Sequence, residues 1–320
     1  MSQAARALVH AFESGTLAHK RAFCLRAEPL AIEDIDFEQS SRPDFLKLKH
    51  ATPRIKSGSY PQGLIFLTKH KEENFANIAR GWALLSAGGA LVCAGANENG
   101  AASLEKHVAK IFGLAGSLSK FHCRVFWLTK CDRAPPDFWV RLASLQPTGD
   151  GMWLSQPGIF SWDRIDDGSA LLARHLPGDL AGQMADFGCG WGYLAREVLV
   201  RSSALTHIDL IDAEYRAIEA ARANVDDPRA AFHWLDLATE APPATYDAVV
   251  CNPPFHTGRA ATPSIGQKVI EASARALKPG GRLFMVANRG LPYGAILNRR
   301  FASSETIADN NKFRITFARR

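Results

Sequence analysis

Residues Ala248-Val249-Val250-Cys251 run straight into Asn252-Pro253-Pro254-Phe255, and this stretch narrows the choice of fold further than any other. So short an apolar run suits a parallel strand covered on both faces. Two prolines cannot continue its ladder, so the chain leaves the sheet there with φ fixed. Asn252 and Phe255 then fall at the carboxyl edge of a buried strand, where open α/β sheets bind their ligands. The Asn252 side-chain oxygen and the Pro253 carbonyl can accept the two N–H bonds of a planar exocyclic amine, with Phe255 stacked on its ring.

At 320 residues the chain exceeds what one hydrophobic core usually organises, and with 47% apolar residues it is ordinary for a globular protein, so two domains are expected. No run has the length of a membrane span, and Arg6, His10 and Glu13 interrupt the start where a signal peptide needs an apolar core. A cytoplasmic protein with no membrane partner is expected. Cys24, Cys93, Cys123, Cys131, Cys189 and Cys251 include no Cys-x-x-Cys pair, so neither a metal site nor a disulfide framework is expected. The net charge of +6 is unevenly placed: residues 1–150 carry an excess of five basic side chains, and residues 251–320 hold 12 basic against 3 acidic ones. That distribution favours a polyanionic partner, nucleic acid first, over plain solvated surface.

Periodicity predicts a helix over Gln3 to Phe12, a short strand over Ala22 to Leu25, an interrupted acidic stretch from Glu28 to Glu38 and a turn at Ser40-Ser41-Arg42-Pro43. Gly63 to Leu67 then reads as a buried strand, Glu72 to Leu85 as a helix stopped by Gly88-Gly89, and Ala90 to Ala94 as the next strand. A helix over Ser103 to Phe112 and a strand over Arg124 to Leu128 follow. The cluster Gln146-Pro147-Thr148-Gly149-Asp150-Gly151 marks a domain boundary.

The second half turns on Met184 to Leu194, a strand that bends through Gly188, Gly190 and Gly192 into a helix. Glycines are needed there because the backbone must turn tightly and admit a ligand where Cβ atoms would stand. Leu205 to Ile211 is a second strand ending at Asp212, twenty residues after Gly192, where a carboxylate can accept both hydroxyls of a ribose. Phe232 to Leu235 gives a third strand ending at Asp236, an acceptor for an adenine amino group, and the strand to Cys251 is the fourth.

The series Asp186-Phe-Gly-Cys-Gly-Trp-Gly192, Asp212, Asp236 and Asn252-Pro-Pro-Phe255 resembles, in order and spacing, the class I S-adenosylmethionine-dependent methyltransferases. With Pro157-Gly-Ile-Phe160, Asp166-Asp167-Gly168-Ser169 and His256 it is similar to one branch, the ribosomal RNA guanine-N2 methyltransferases built from two tandem methyltransferase-like domains. The resemblance implies an α/β chain of two tandem Rossmann-like domains: residues 1–148 degenerate and serving structure or RNA binding, residues 149–320 catalytic, with a mostly parallel sheet and the donor site. It implies S-adenosylmethionine as cofactor, held by Phe160, Asp186, Gly188, Cys189, Gly190, Gly192, Asp212, Asp236 and Asn252, and catalysis at Asn252, Pro253, Pro254 and Phe255. The implied partner is ribosomal RNA or a ribosomal subunit, and the implied state a monomer.

The first half carries its own support for duplication. Gly63 to Leu67, the following helix, Gly88-Gly89 and Ala90 to Ala94 reappear as Asp247 to Cys251, a helix over 266–277, Gly280-Gly281 and Arg282 to Val286. In that alignment Thr68-Lys69-His70-Lys71 fill the Asn-Pro-Pro-Phe position, and no glycine-rich turn lies upstream. Three other activities compete. A nicotinamide oxidoreductase would use the glycine turn and Asp212 but has no use for Asn-Pro-Pro-Phe. A methyltransferase for adenine N6 or a protein glutamine would use the same loop. A noncatalytic RNA-binding assembly factor would not need the full set of donor positions.

Overall fold

The structure, a computed structural model, describes residues 1–48, 55–56, 58–149, 151–254 and 263–320. Its contacts divide the chain into two compact units, Met1–Gln146 with Gln156–Gly158, and Pro147–Ser155 with Ile159–Arg320. The second unit is built on seven strands: β1 (Gly182–Phe187), β2 (Leu205–Asp212), β3 (Ala230–Trp234), β4 (Tyr246–Cys251), β5 (Leu277–Asn288), β6 (Ser303–Asp309) and β7 (Phe313–Arg319). They form one sheet in the order β3-β2-β1-β4-β5-β7-β6. The first five run parallel, and β7 pairs antiparallel with both β5 and β6.

Alternation along β1 and β4 places Met184 and Val250 in one core with Leu172, Val198 and Ile218, and Ala185 and Val249 in another with Ile270, Leu283 and Ile296. Both sheet faces are therefore covered, which is why these strands read as unbroken apolar runs. Helices α1 (Asp167–His175), α2 (Tyr193–Arg201) and α3 (Tyr215–Asn224) supply the first cover; α4 (Pro263–Ala276) and α5 (Gly294–Arg300) supply the second.

Among the described residues, the first unit repeats the plan with one strand fewer. Its six strands lie in the order Ile35–Glu38, Ala22–Leu25, Tyr60–Phe66, Leu85–Ala96, Cys123–Thr129, Gly116–Lys120. The first four are parallel and the last two form an antiparallel hairpin. Read by position, this is the order 2-1-4-5-7-6 of the second sheet without its outer β3. The irregularities match too. Tyr60 pairs with Leu85 and Gln62 with Ala90, as Tyr246 pairs with Leu277 and Ala248 with Arg282, each with a register shift between. Gly88 and Gly280, both at φ above 70°, donate to the carbonyls of Lys130 and Arg320.

This register corrects the sequence alignment by two residues. With Gln62 equivalent to Ala248, the Asn-Pro-Pro-Phe positions fall on Phe66-Leu67-Thr68-Lys69 rather than on Thr68 to Lys71. It also moves Gly88-Gly89 out of the helix-stop role, because the helix Lys71–Leu84 ends before them and they lie inside the strand Leu85–Ala96. The expected turn at Ser40 to Pro43 is instead the entry to a short helix, Arg42–Lys47, with Pro43 in its first turn.

Candidate active site

β1 ends at Phe187 and the chain turns through Gly188, Gly190 and Gly192 at φ of 76°, 53° and 92°. A Cβ at Gly192 would stand 2.8 Å from Val225 Cγ2, whereas one at Gly190 would meet nothing within 4 Å. The last glycine is thus needed for packing, while the middle one keeps open the space above the turn. Gly188 sits beside the acceptor loop, since a Cβ there would lie 3.8 Å from the Asn252 carbonyl oxygen.

Asp186 and Asp212 hold this turn from beneath. Asp186 is fully buried; its Oδ2 accepts from the Ala195 N–H at 3.0 Å, and its Oδ1 is buried without a hydrogen-bond partner. Burial pushes its carboxyl up to about 7. Asp212 accepts from the Gly190 N–H at 2.9 Å and the Glu214 N–H at 2.8 Å, and burial pushes it up to about 6. A carboxylate offers about four acceptor directions, so Asp212 keeps lone pairs after both bonds. Cys189 is buried against the two acids, and burial pushes its thiol well up. Asp236 lies two residues beyond β3 and folds back on its own turn, accepting from the Ala238 N–H at 3.0 Å and the Thr239 hydroxyl at 2.8 Å. Phe160 is 57% exposed and precedes Ser161, a non-glycine residue at φ 49°.

Asn252 follows β4 directly, next to the half of the sheet that carries the glycine turn. Its Nδ2 donates to Asp166 Oδ2 at 3.0 Å and to Ser169 Oγ at 3.0 Å. A carboxylate only accepts, so the amide's orientation is dictated chemically: nitrogen toward Asp166, oxygen away from it. Asp166 is the N-cap of α1 and accepts from the Ser169 N–H at 2.8 Å through the same Oδ2. Pro253 is buried and Pro254 exposed, while Phe255 and His256 lie outside the described residues.

The arrangement brings Gly188, Cys189, Gly190, Asp186, Asp212 and Asn252 to the carboxyl edge of β1, β2 and β4. Sequence reasoning left Asp166 and Ser169 without roles, although an acid followed by a glycine and a serine ahead of an apolar-periodic run is a capping signal. Asn224 is a further residue the sequence did not single out. At the end of α3 its side chain bonds both Leu154 backbone groups and the Trp191 carbonyl at 2.8 Å, tying the strand Leu154–Ser155 to the glycine turn.

The family described as Methyltransferase small domain matches residues 151–317, more than half of the chain. A ribosomal RNA small subunit methyltransferase C of Pseudomonas aeruginosa is 33% identical over 278 residues, covering 83% of this chain and 81% of that protein. The protein of the same name from Shewanella halifaxensis is 33% identical over 237 residues, covering 71% and 68%. Among solved structures, a T. thermophilus 16S rRNA N2 methyltransferase in complex with AdoMet and guanosine superposes with a TM-score of 0.81 at 21% identity, covering 100% of this chain and 92% of that one, which supports the fold of both units. By the extent of these matches, the chain belongs to the ribosomal RNA small subunit methyltransferase C family.

Proposed function

We propose that the chain transfers the methyl group of S-adenosylmethionine to the exocyclic N2 amine of a guanine in small-subunit ribosomal RNA, with Asn252 and Pro253 as the groups that hold the amine. The observation that carries this reading is the Asn252 amide: its nitrogen is committed to Asp166 and Ser169, so its oxygen is the acceptor left over, on a residue whose backbone carbonyl lies next to Gly188 of the glycine turn. The relatives' names and the solved relative's ligands favour the same donor and the same amine.

The second unit's residues fit the donor. The unpartnered Asp186 oxygen suits a ligand with net positive charge, the space at Gly190 admits one close to the backbone, and Asp212 has lone pairs left for a ribose. When bound, the donor supplies a methyl group already activated on a sulfonium, whose leaving group is a neutral thioether. What the chain must supply is a competent nucleophile. The guanine N2 lone pair is delocalised into the ring, and acceptors for both amine hydrogens at Asn252 Oδ1 and the Pro253 carbonyl favour the form in which it is localised. Positioning of this kind contributes most of the rate without a strong general base.

The test is transfer of radiolabelled methyl from S-adenosylmethionine to undermethylated small ribosomal subunits and to their naked RNA, followed by nucleoside analysis. Label in N2-methylguanosine is expected. Label in N6-methyladenosine or in protein would replace guanine by one of the other planar amines, and no label in any acceptor would overturn the reading.

A further inference from the structure

Asp166 fixes the amide that is proposed to hold the reacting amine. Its Oδ2 receives two hydrogen bonds, one from the Ser169 N–H at 2.8 Å and one from Asn252 Nδ2 at 3.0 Å, and Ser169 Oγ takes the second Nδ2 hydrogen at 3.0 Å. The site is built closely. Ser169 is buried, and a Cβ on the intervening Gly168 would stand 3.0 Å from Asp166 Oδ2 and 3.0 Å from Phe313 Cε1. Capping α1 does not by itself call for a charge, because asparagine caps a helix as well as aspartate does. A carboxylate at this place does two further things. It forbids the flipped amide, and it draws the amide toward its charge-separated form, loading electron density onto Oδ1.

We propose that Asp166, with Ser169, is a positioning residue for methyl transfer: it orients and polarises the Asn252 amide so that Oδ1 binds the acceptor amine more strongly as positive charge develops on its nitrogen. The inference rests on the proposed function, since it needs an amine donating to Asn252. It extends the acceptor site from the loop after β4 to the first turn of α1, which lies 83 and 86 positions earlier in the chain.

The experiment compares Asp166→Asn, Ser169→Ala and Asn252→Ala, singly and combined, in single-turnover transfer at saturating donor and RNA, with donor affinity and melting temperature measured alongside. Asp166→Asn keeps an N-cap acceptor and removes only the charge. It is expected to melt with the wild type, bind donor and RNA unchanged, and transfer methyl about tenfold more slowly, the gap between a charge-assisted and a neutral hydrogen bond. In the Asn252→Ala background the same substitution is expected to have no further effect, because its action runs through the missing amide. Ser169→Ala, which frees one amide hydrogen but leaves the carboxylate, is expected to slow transfer less than Asp166→Asn. A wild-type rate in Asp166→Asn overturns the inference, as does an equal loss in both backgrounds, which marks a structural role. A wild-type protein that labels no acceptor, nucleoside or protein, overturns both the inference and the proposed function; one that labels a different planar amine overturns the guanine assignment alone, and the variants still decide the role of Asp166.

Discussion

At the level of single residues, the proposed function assigns some groups to the donor and others to the acceptor, and substitutions separate the two. Asn252→Ala removes an interaction that strengthens as the amine lone pair localises, so transfer is expected to lose on the order of 2–4 kcal/mol of transition-state stabilisation, with donor affinity little changed in calorimetry. Asn252→Asp gives a distinctive readout, because it sets a second carboxylate where Nδ2 now lies 3.0 Å from Asp166 Oδ2. Two carboxylates that close hold one proton between them, and the protonated pair mimics the amide. Activity of this variant is expected to fall as pH rises, beyond any change in the wild type; a pH–rate profile parallel to the wild type would place Asn252 elsewhere in the mechanism. On the donor side, Asp186 and Asp212 are held up at about 7 and about 6. A ligand with net positive charge favours their ionised forms, so the sign is clear: donor affinity is present in full above pH 7 and weakens as pH falls through 7 and 6. Calorimetry across that range in buffers of different ionisation enthalpy should show proton release on binding near pH 6.5, and an affinity flat from pH 5 to 8 would detach both acids from the donor.

At the level of elements, the glycine turn divides its labour in a way that substitutions can expose. Gly190→Ala imposes a left-handed alanine but meets no atom within 4 Å, so it is expected to cost about 1–2 kcal/mol of stability while damaging donor affinity more. Gly192→Ala adds a clash at 2.8 Å with Val225 to its φ of 92°, and it is expected to lower the melting temperature further. Equal melting with equal donor affinity for the two variants would refute this division. What was legible beforehand follows the same physics. The turn, Asp212 and the exit of β4 are punctuated by residues with few backbone options, so their places could be read from sequence. The strand Ile35–Glu38 was not, because Asp36 and Glu38 break its apolar run, and β6 was not, because Ser303–Asp309 is a largely exposed edge strand with little pattern to show. The Asp166–Asn252 bond joins residues 86 apart and leaves no local signal.

At the scale of the whole molecule, the two sheets share one plan, and among the described residues the groups proposed to hold the donor lie in the second unit. Strand pairing makes Tyr60 equivalent to Tyr246 and Asp36 to Asp209, and both tyrosine hydroxyls donate to their aspartates, at 2.6 Å and 2.8 Å. The scaffold beneath the site has therefore persisted in the first unit. Above it the chemistry has changed. Arg26 stands at the Gly188 position and keeps its left-handed backbone at φ 54°, but its guanidinium forms an ion pair with the buried Glu73 at 3.0 Å and bonds Ser40. Gln39 stands where Asp212 does; it still accepts from the N–H two residues on, at 2.8 Å, but its amide carries no charge. A charged side chain and its ion pair thus stand at the end of the strand where the second unit has the first glycine of its turn. One donor site per chain is expected. Titration calorimetry should give a stoichiometry near one, and Asp212→Ala should weaken that single site by roughly 1.5–3 kcal/mol, the scale for losing hydrogen bonds to a charged group. Two sites per chain, or an Asp212→Ala protein that retains half of its sites at full affinity, would show that the first unit still binds the donor despite Arg26.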